Sequence, residues 1–468
     1  MKVSRRRFLQ GATAGAVLGP TLFNHALVRK SLANTIGNRY LVVVLLDGGN
    51  DGLNTITPID DGAATLRQAY DAHRNTGNGG VNLPSGNLLP VGADPNSGAS
   101  LGLHPSLQGL HDLHTSKGTV AFIQGCGYPD ASLSHDVSRS IWETANPLGV
   151  PLVGGWVGRH LAGCYGPTDV PAVVVDYGLP GDFRQTTTSV LAIKKLEDFG
   201  FPYDYYDGGD VAAKRAAFDA IYSAASGSAQ SQFDFIGNSG AATLVSSEAY
   251  PPLHDLYETD RAAWSAQYSA IGRSFAEDLR EVAKMIYGVE QGVPDVNARY
   301  FECNNGGYDT HSGQGADEPG GRHGELHAEV GDSLKVFYED LEDMGVIDDV
   351  AILVWSEFSR RIQQNSNGTD HGSQGPMLLL GGDVKGGVFG NHPNINDVAL
   401  NNNGNTVYSQ SATDPFRSTD FRDIYGSVLK QWAGMPHNDI LTMMPLDTAA
   451  PASNYWTVED FDLDLFLP

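Results

Sequence analysis

The chain has 468 residues, about three times a ~150-residue domain, which excludes a single small module. Hydrophobic residues make up 41% and allow a large core. The formal net charge of -25, from 30 Lys and Arg against 55 Asp and Glu, repels phosphate backbones and excludes general nucleic-acid binding. Three cysteines (Cys126, Cys164 and Cys303) are too few for a disulfide scaffold and lack C-x-x-C metal spacing.

Ser4-Arg5-Arg6-Arg7-Phe8-Leu9 opens the chain with a twin-arginine export signature. A Gly- and Ala-rich apolar stretch follows to Phe23, and Ser31-Leu32-Ala33 places small residues where a signal peptidase reads. The stretch is shorter than the ~20 residues of a membrane span, and no later run qualifies. The reading is therefore a signal peptide at 1–33 and a mature domain at 34–468 without a transmembrane segment. The twin-arginine translocation machinery would carry it folded to a periplasmic or secreted location. Cleavage removes six positive charges and no negative one, leaving a net charge of about -31. Such export favours a bound cofactor or ion, and an oxidising compartment allows one cysteine pair to bridge.

Tyr40–Leu46 is a continuous apolar, β-branched run that stops at Asp47-Gly48-Gly49, as a strand buried on both faces does. Similar runs recur at Thr119–Gln124, Ala172–Asp176, Arg299–Cys303, Val350–Trp355 and Met377–Leu380. Helical patterns lie between them at Ser106–His114, Ala212–Ala225, Arg261–Tyr287, Glu325–Asp343 and Thr419–Trp432. This alternation predicts an α/β fold, a mostly parallel central sheet with helices on both faces. Residues 75–100 and 391–414 read as surface loops, and 178–255 as a candidate cap lacking clear strand rhythm.

In such sheets ligands bind beyond the carboxyl ends of the strands, which selects four segments. Asp47 ends the first strand in a Gly- and Asx-rich loop with Asp51, able to ligate a hard cation or simply to cap a turn. Ser132, Ser134 and His135 follow the second run. Ser134 suits a helix N-cap, and His135 an active-site loop. Asp309 and His311 sit two apart in a glycine-rich loop and can converge on one metal. His323 and His327, spaced i,i+4, read as surface histidines without H-E-x-x-H. Glu357 ends the Val350–Trp355 run, with Arg360 beside it, and Asp370-His371 precedes the last run. There is no Walker A, G-x-G-x-x-G or G-x-S-x-G motif, so no nucleotide or flavin cofactor is expected.

Taken together, LLDGGNDGLNT, SLSHD, GGYDTH, WSEFSRR, GTDHG and LLLGGDVKGG resemble the domain-of-unknown-function-1501 family of twin-arginine-exported bacterial proteins, across the whole mature chain. That family is similar to the alkaline phosphatase/sulfatase superfamily. The resemblance implies two metals at the carboxyl edge of a parallel sheet. It implies metal-ligand roles for Asp47, Asp309, His311 and His371, with Glu357-Phe358 where an Asp-His pair normally ends its strand. An alternative alignment gives that Asp-His role to Asp370-His371. The nucleophile position falls near Ala131, between Ser132 and Ser134. C-x-P-x-R is absent, since Cys126 precedes Gly127-Tyr128-Pro129-Asp130, which excludes a conventional formylglycine sulfatase.

Two functional readings follow. One is an exported metal-dependent hydrolase of phosphate or sulfate esters, holding zinc or calcium/magnesium and taking a small ester substrate. In it Ser132 or Ser134 attacks, His135 lies in the active-site loop and Arg360 binds substrate oxygens. The other is a catalytically degenerate relative that binds or assembles with an exported partner. A carbohydrate- or polymer-binding role for the 75–100 and 391–414 loops is a third.

Overall fold

The computed structural model describes residues 37–59, 65–74, 79–128, 131–149, 152–185, 187–201, 210–315, 321–393, 395, 419–444, 461 and 463–467. The leader read at 1–33 and most of the 391–414 loop lie outside them. Fourteen strands are present among these residues. They are β1 (Tyr40–Asp47), β2 (Ile56–Pro58), β3 (Leu89–Ala93), β4 (Ser100–Leu103), β5 (Val120–Gly127), β6 (Ala172–Val174) and β7 (Val190–Ala192). Then follow β8 (Tyr300–Gly306), β9 (Val350–Trp355), β10 (Ser359–Arg360), β11 (His371–Gly372), β12 (Gly375–Leu380), β13 (Gly387–Phe389) and β14 (Thr419–Asp420).

Nine strands form the central sheet in the order β13-β5-β12-β9-β1-β8-β6-β7, with β14 also pairing β5. β1 is parallel to β8 and β9, while β12 runs antiparallel to both β9 and β5. The sheet is thus mostly parallel, as expected, with one reversed strand inside it.

The strict period of two along β1 builds two cores. Val42, Val44 and Leu46 join one apolar cluster and Leu41, Val43 and Leu45 the other, all at 5% exposure or less. The first face packs under helices Gln108–Lys117, Ser274–Glu290 and Arg322–Asp343. The second packs under His135–Thr144, Trp156–Cys164 and the C-terminal helix starting at Phe421. Each large apolar side chain so buried contributes about 1.5–3 kcal/mol.

Four expectations need correction. The pattern at Arg261–Tyr287 is two helices, Ala262–Ile271 and Ser274–Glu290, because Gly272 takes φ +66 between them. Residues 75–100 are not all loop: β3 joins β2 and β4 in a small antiparallel sheet. Residues 178–255 contain β7, the edge strand of the central sheet, besides helices Val211–Ala225 and Ser231–Ala249. Finally, Cys126, Cys164 and Cys303 are all free and buried, which pushes the Cys164 thiol up to about 12. Among the described residues no helix is long and apolar enough to cross a membrane.

Candidate metal centre at the carboxyl edge

The reversed direction of β12 assembles the site. β1, β5, β8 and β9 all end at one edge, and β12 starts there, so residues before β12 meet residues after the others. β10 and β11 pair antiparallel and fix His371 opposite Arg360.

Asp309, just beyond β8, is the centre of the cluster. Its Oδ1 lies 3.1 Å from His311 Nε2, 3.2 Å from His371 Nε2 and 3.6 Å from His135 Nε2. Each imidazole is held through its other nitrogen. His135 Nδ1 donates to Glu357 Oε1 at 2.7 Å, His311 Nδ1 to Asp370 Oδ1 at 3.0 Å and His371 Nδ1 to the Leu133 carbonyl at 2.7 Å. A carboxylate or carbonyl can only accept, so in the neutral rings all three Nε2 atoms carry lone pairs. Those lone pairs face a carboxylate oxygen and one another, with His311 Nε2 and His371 Nε2 2.9 Å apart. Acceptors opposed in this way are able to hold a cation between them. The ligand atoms of His135, Asp309 and His371 all fall within 4.8 Å of each other. Carboxylates and a carbonyl behind the imidazoles are the usual outer support of a metal site.

The electrostatics agree with this arrangement. Burial raises the Asp309 carboxyl, but the hydrogen bond and charge of the Arg360 guanidinium lead the effects that outweigh it and bring it to about 2. The hydrogen bond to Glu357 raises His135, whereas burial lowers His371.

Arg360 is buried at 0% exposure and serves the backbone around the site. Its Nε donates to the Gly49 carbonyl at 2.6 Å and Nη1 to Thr369 at 3.1 Å. Nη2 donates to Gly48, to Tyr308 at 2.9 Å and to Asp309 Oδ1 at 2.9 Å. This differs from a substrate-binding arginine: the guanidinium is enclosed and fixes Asp309. The glycines of the Asp47 loop permit that closeness. Gly48 has φ +117, and a Cβ there would sit 2.5 Å from the Asp309 nitrogen.

The remaining expected residues are distributed as follows. Glu357, fully buried, accepts from Gly48 N at 2.9 Å as well as from His135. Asp370 holds His311. Asp47 is not joined to the cluster; its Oδ2 lies 3.3 Å from Arg139 Nη1. Ser134 occupies the N-cap position of helix His135–Thr144 without a side-chain capping bond. Ser132 Oγ accepts from Ser134 N at 3.2 Å, and neither hydroxyl bonds to Asp309, His311 or His371.

His323 and His327, expected at the surface, are 0% and 1% exposed. Their rings lie 4.0 Å apart and contact His104, with His323 Nε2 3.0 Å from Asn50 Oδ1 and His327 Nε2 3.1 Å from Thr55 Oγ1. Asp51 is buried too, pairing with Arg74 at 2.5 and 2.9 Å and accepting from Gln314 at 2.5 Å. Gln314 and Arg139 were not anticipated. Each has a sequence cue, Gln314 three residues after His311 and Arg139 four after His135 on the same helical face.

The fold and this cluster together define an α/β protein with a histidine- and carboxylate-lined site at the carboxyl edge of its sheet. Residues 289–418, which carry Asp309, His311, Glu357, Arg360, Asp370 and His371, match the family described as "Protein of unknown function (DUF1501)". That match supports the family suggested by the motifs. No curated protein matches the chain.

Proposed function

We propose that this protein is an exported, metal-dependent hydrolase of phosphate or sulfate esters, similar to the alkaline phosphatase/sulfatase superfamily. The observation that carries the reading is the convergence of three imidazole Nε2 atoms on Asp309 Oδ1, each ring fixed from behind. Three nitrogen donors with one carboxylate suit zinc better than calcium or magnesium. Such an ion supplies Lewis-acid polarisation of an ester oxygen and lowers the pKa of an attacking hydroxyl or water.

The chain's own groups complete the proposal. Arg360 keeps Asp309 deprotonated and in place. Arg139, one turn along from His135 and partly exposed, replaces Arg360 as the guanidinium able to meet a substrate oxyanion. Glu357 orients His135. Ser132 and Ser134 remain the candidate hydroxyl nucleophiles, on the loop that leads into His135.

The test is elemental analysis of protein purified without chelator, followed by an ester screen. About one or two zinc per chain, lost in Asp309→Ala/His371→Ala, with turnover of a phosphate or sulfate ester, supports the reading. Full ester turnover in the metal-free double variant would refute it. A binding-only protein is the second reading, favoured by the absence of any bond from Ser132 or Ser134 to the cluster. Metal uptake with no turnover of any ester would select it. Export through the twin-arginine pathway is part of the proposal, and Arg5→Lys/Arg6→Lys should abolish it in cell fractionation.

A further inference from the structure

Helix Val211–Ala225 belongs to none of the apolar clusters of the protein. Its sequence, VAAKRAAFDAIYSAA, is apolar except at Lys214, Arg215, Asp219 and Ser223, yet it buries no residue. A helix apolar on nearly every side is ordinarily enclosed, because packing rather than propensity supplies most helical stability. Helix Ser231–Ala249 lies between it and the rest of the molecule. That second helix turns Ser239 to Ser189, with the hydroxyls 3.0 Å apart, and presents Gly237 and Gly240 to the first. Gly240 lies against the Tyr222 ring and Gly237 against the Ser226 backbone, so the two helices run antiparallel with these residues in the seam.

Four large apolar side chains stand exposed on this hairpin: Phe218 at 40%, Ile221 at 63%, Phe233 at 56% and Ile236 at 53%. Helical geometry puts them on one side of it. Each residue advances about 100° around its axis, so Ile221 and Ile236 each precede a seam residue, Tyr222 or Gly237, by the same angle. In antiparallel helices that step leads to the same side of the seam. Phe218 and Phe233, three residues before each isoleucine, lengthen the stripe to roughly 16 Å. Asp219 and Asp234, one residue further round from each phenylalanine, turn to the other side. Residues 211–247 balance Lys214 and Arg215 against these two acids, within a chain of net charge -25.

We infer that this stripe is the surface through which two copies of the chain associate, their hairpins forming a four-helix bundle about a twofold axis. Charge selects a second copy as the occupant. Two chains of net charge -25 repel each other, and they approach best where the surface is apolar and free of acids. The same charge opposes an anionic lipid surface, and the two cations of the hairpin are fewer than a membrane-surface helix carries. The area is sufficient as well. With exposed Ala217 and Ala224 beside Ile221, the stripe offers roughly 500–600 Å² on each copy, near the lower limit of a stable interface. Dissociation in the micromolar range follows from that size. The pairing leaves the metal centre at the sheet edge untouched.

Sedimentation equilibrium on the purified protein, from micromolar concentrations upward, reads the mass directly. The parent should reach twice the chain mass. Ile221→Glu/Ile236→Glu should weaken association at least a hundredfold, with circular dichroism unchanged because both positions are open to solvent. Where that variant misfolds, Ile221→Ser/Ile236→Ser is read in its place. Val245→Glu, across the seam from the stripe at 45% exposure, should leave the dimer intact. A parent of single-chain mass would overturn the inference, whether or not it binds phosphatidylcholine vesicles. So would a dimer that survives the double substitution, or one that Val245→Glu dissolves equally.

Discussion

Glu357 holds His135 Nδ1 at 2.7 Å and thereby aims the opposite nitrogen of the ring at Asp309. The two residues lie 222 positions apart, one at the end of β9 and the other at the start of a helix after β5. Their bond selects the tautomer with a lone pair on Nε2. Glu357→Gln removes that selection, since an amide can donate as well as accept. Zinc affinity should fall about 10–100-fold, with the fold intact by circular dichroism. Unchanged affinity in a competition titration would show that His135 is not a ligand.

Arg360 places five contacts with one planar group, which a lysine cannot reproduce. Arg360→Lys should leave the Gly48, Gly49, Tyr308 and Thr369 carbonyls partly unserved and free Asp309 to turn away. We expect about 2–4 kcal/mol lost from the urea unfolding free energy, together with loss of the edge metal. Stability and metal content equal to the parent would refute the scaffold role.

Asp51 and Arg74 are each fully enclosed, with Gln314 completing the carboxylate. Asp51→Asn leaves the guanidinium buried without its charge partner. The cost should be about 3–5 kcal/mol, measured by chemical denaturation, because a half-removed buried pair is worse than none. Arg74→Met/Asp51→Leu should recover much of it.

His323 and His327 are held neutral. Burial lowers both well below 6.5, and neighbouring His104 adds to the effect. The unfolded chain takes up protons near pH 6.5 that the native state refuses, so stability falls as pH drops below that value. The slope reaches about 1.4 kcal/mol per pH unit for each histidine and vanishes above about pH 7.5. His323→Gln should flatten the curve by one proton's slope between pH 5 and 6.5. An unaltered slope in urea midpoints would disprove the assignment.

β1 and β9 are readable in the sequence because strands buried on both faces are continuously apolar, and β5 and β8 are readable from their apolar starts, with polar residues only further along. Asp309, His311 and Glu357 are selected by strand ends and Asp370-His371 by preceding the last apolar run, and these residues lie together at the carboxyl edge. The direction of β12 is not encoded in Met377–Leu380, since an apolar run looks the same from either end. His323 and His327 look like surface residues because the groups that satisfy them, Asn50 and Thr55, lie 273 and 272 positions away. Arg360 misleads for a similar reason. Four of its five acceptors are backbone carbonyls, which have no signature in a sequence.

The pairing of β1 with β8 and β9 also sets the order in which the chain can mature. Among the described residues, Tyr40–Leu46 pairs with strands at 300–306 and 350–355. During synthesis at ~5–20 residues per second, this apolar strand waits roughly ten to fifty seconds for its first partner to be made. Gly48, Asn50 and Gly52 then find Glu357, Ser356 and Ser359 across more than 300 residues. A truncated nascent chain therefore displays an unpaired β-branched strand, a template for aggregation, and its protection falls to chaperones until the last third of the protein has emerged.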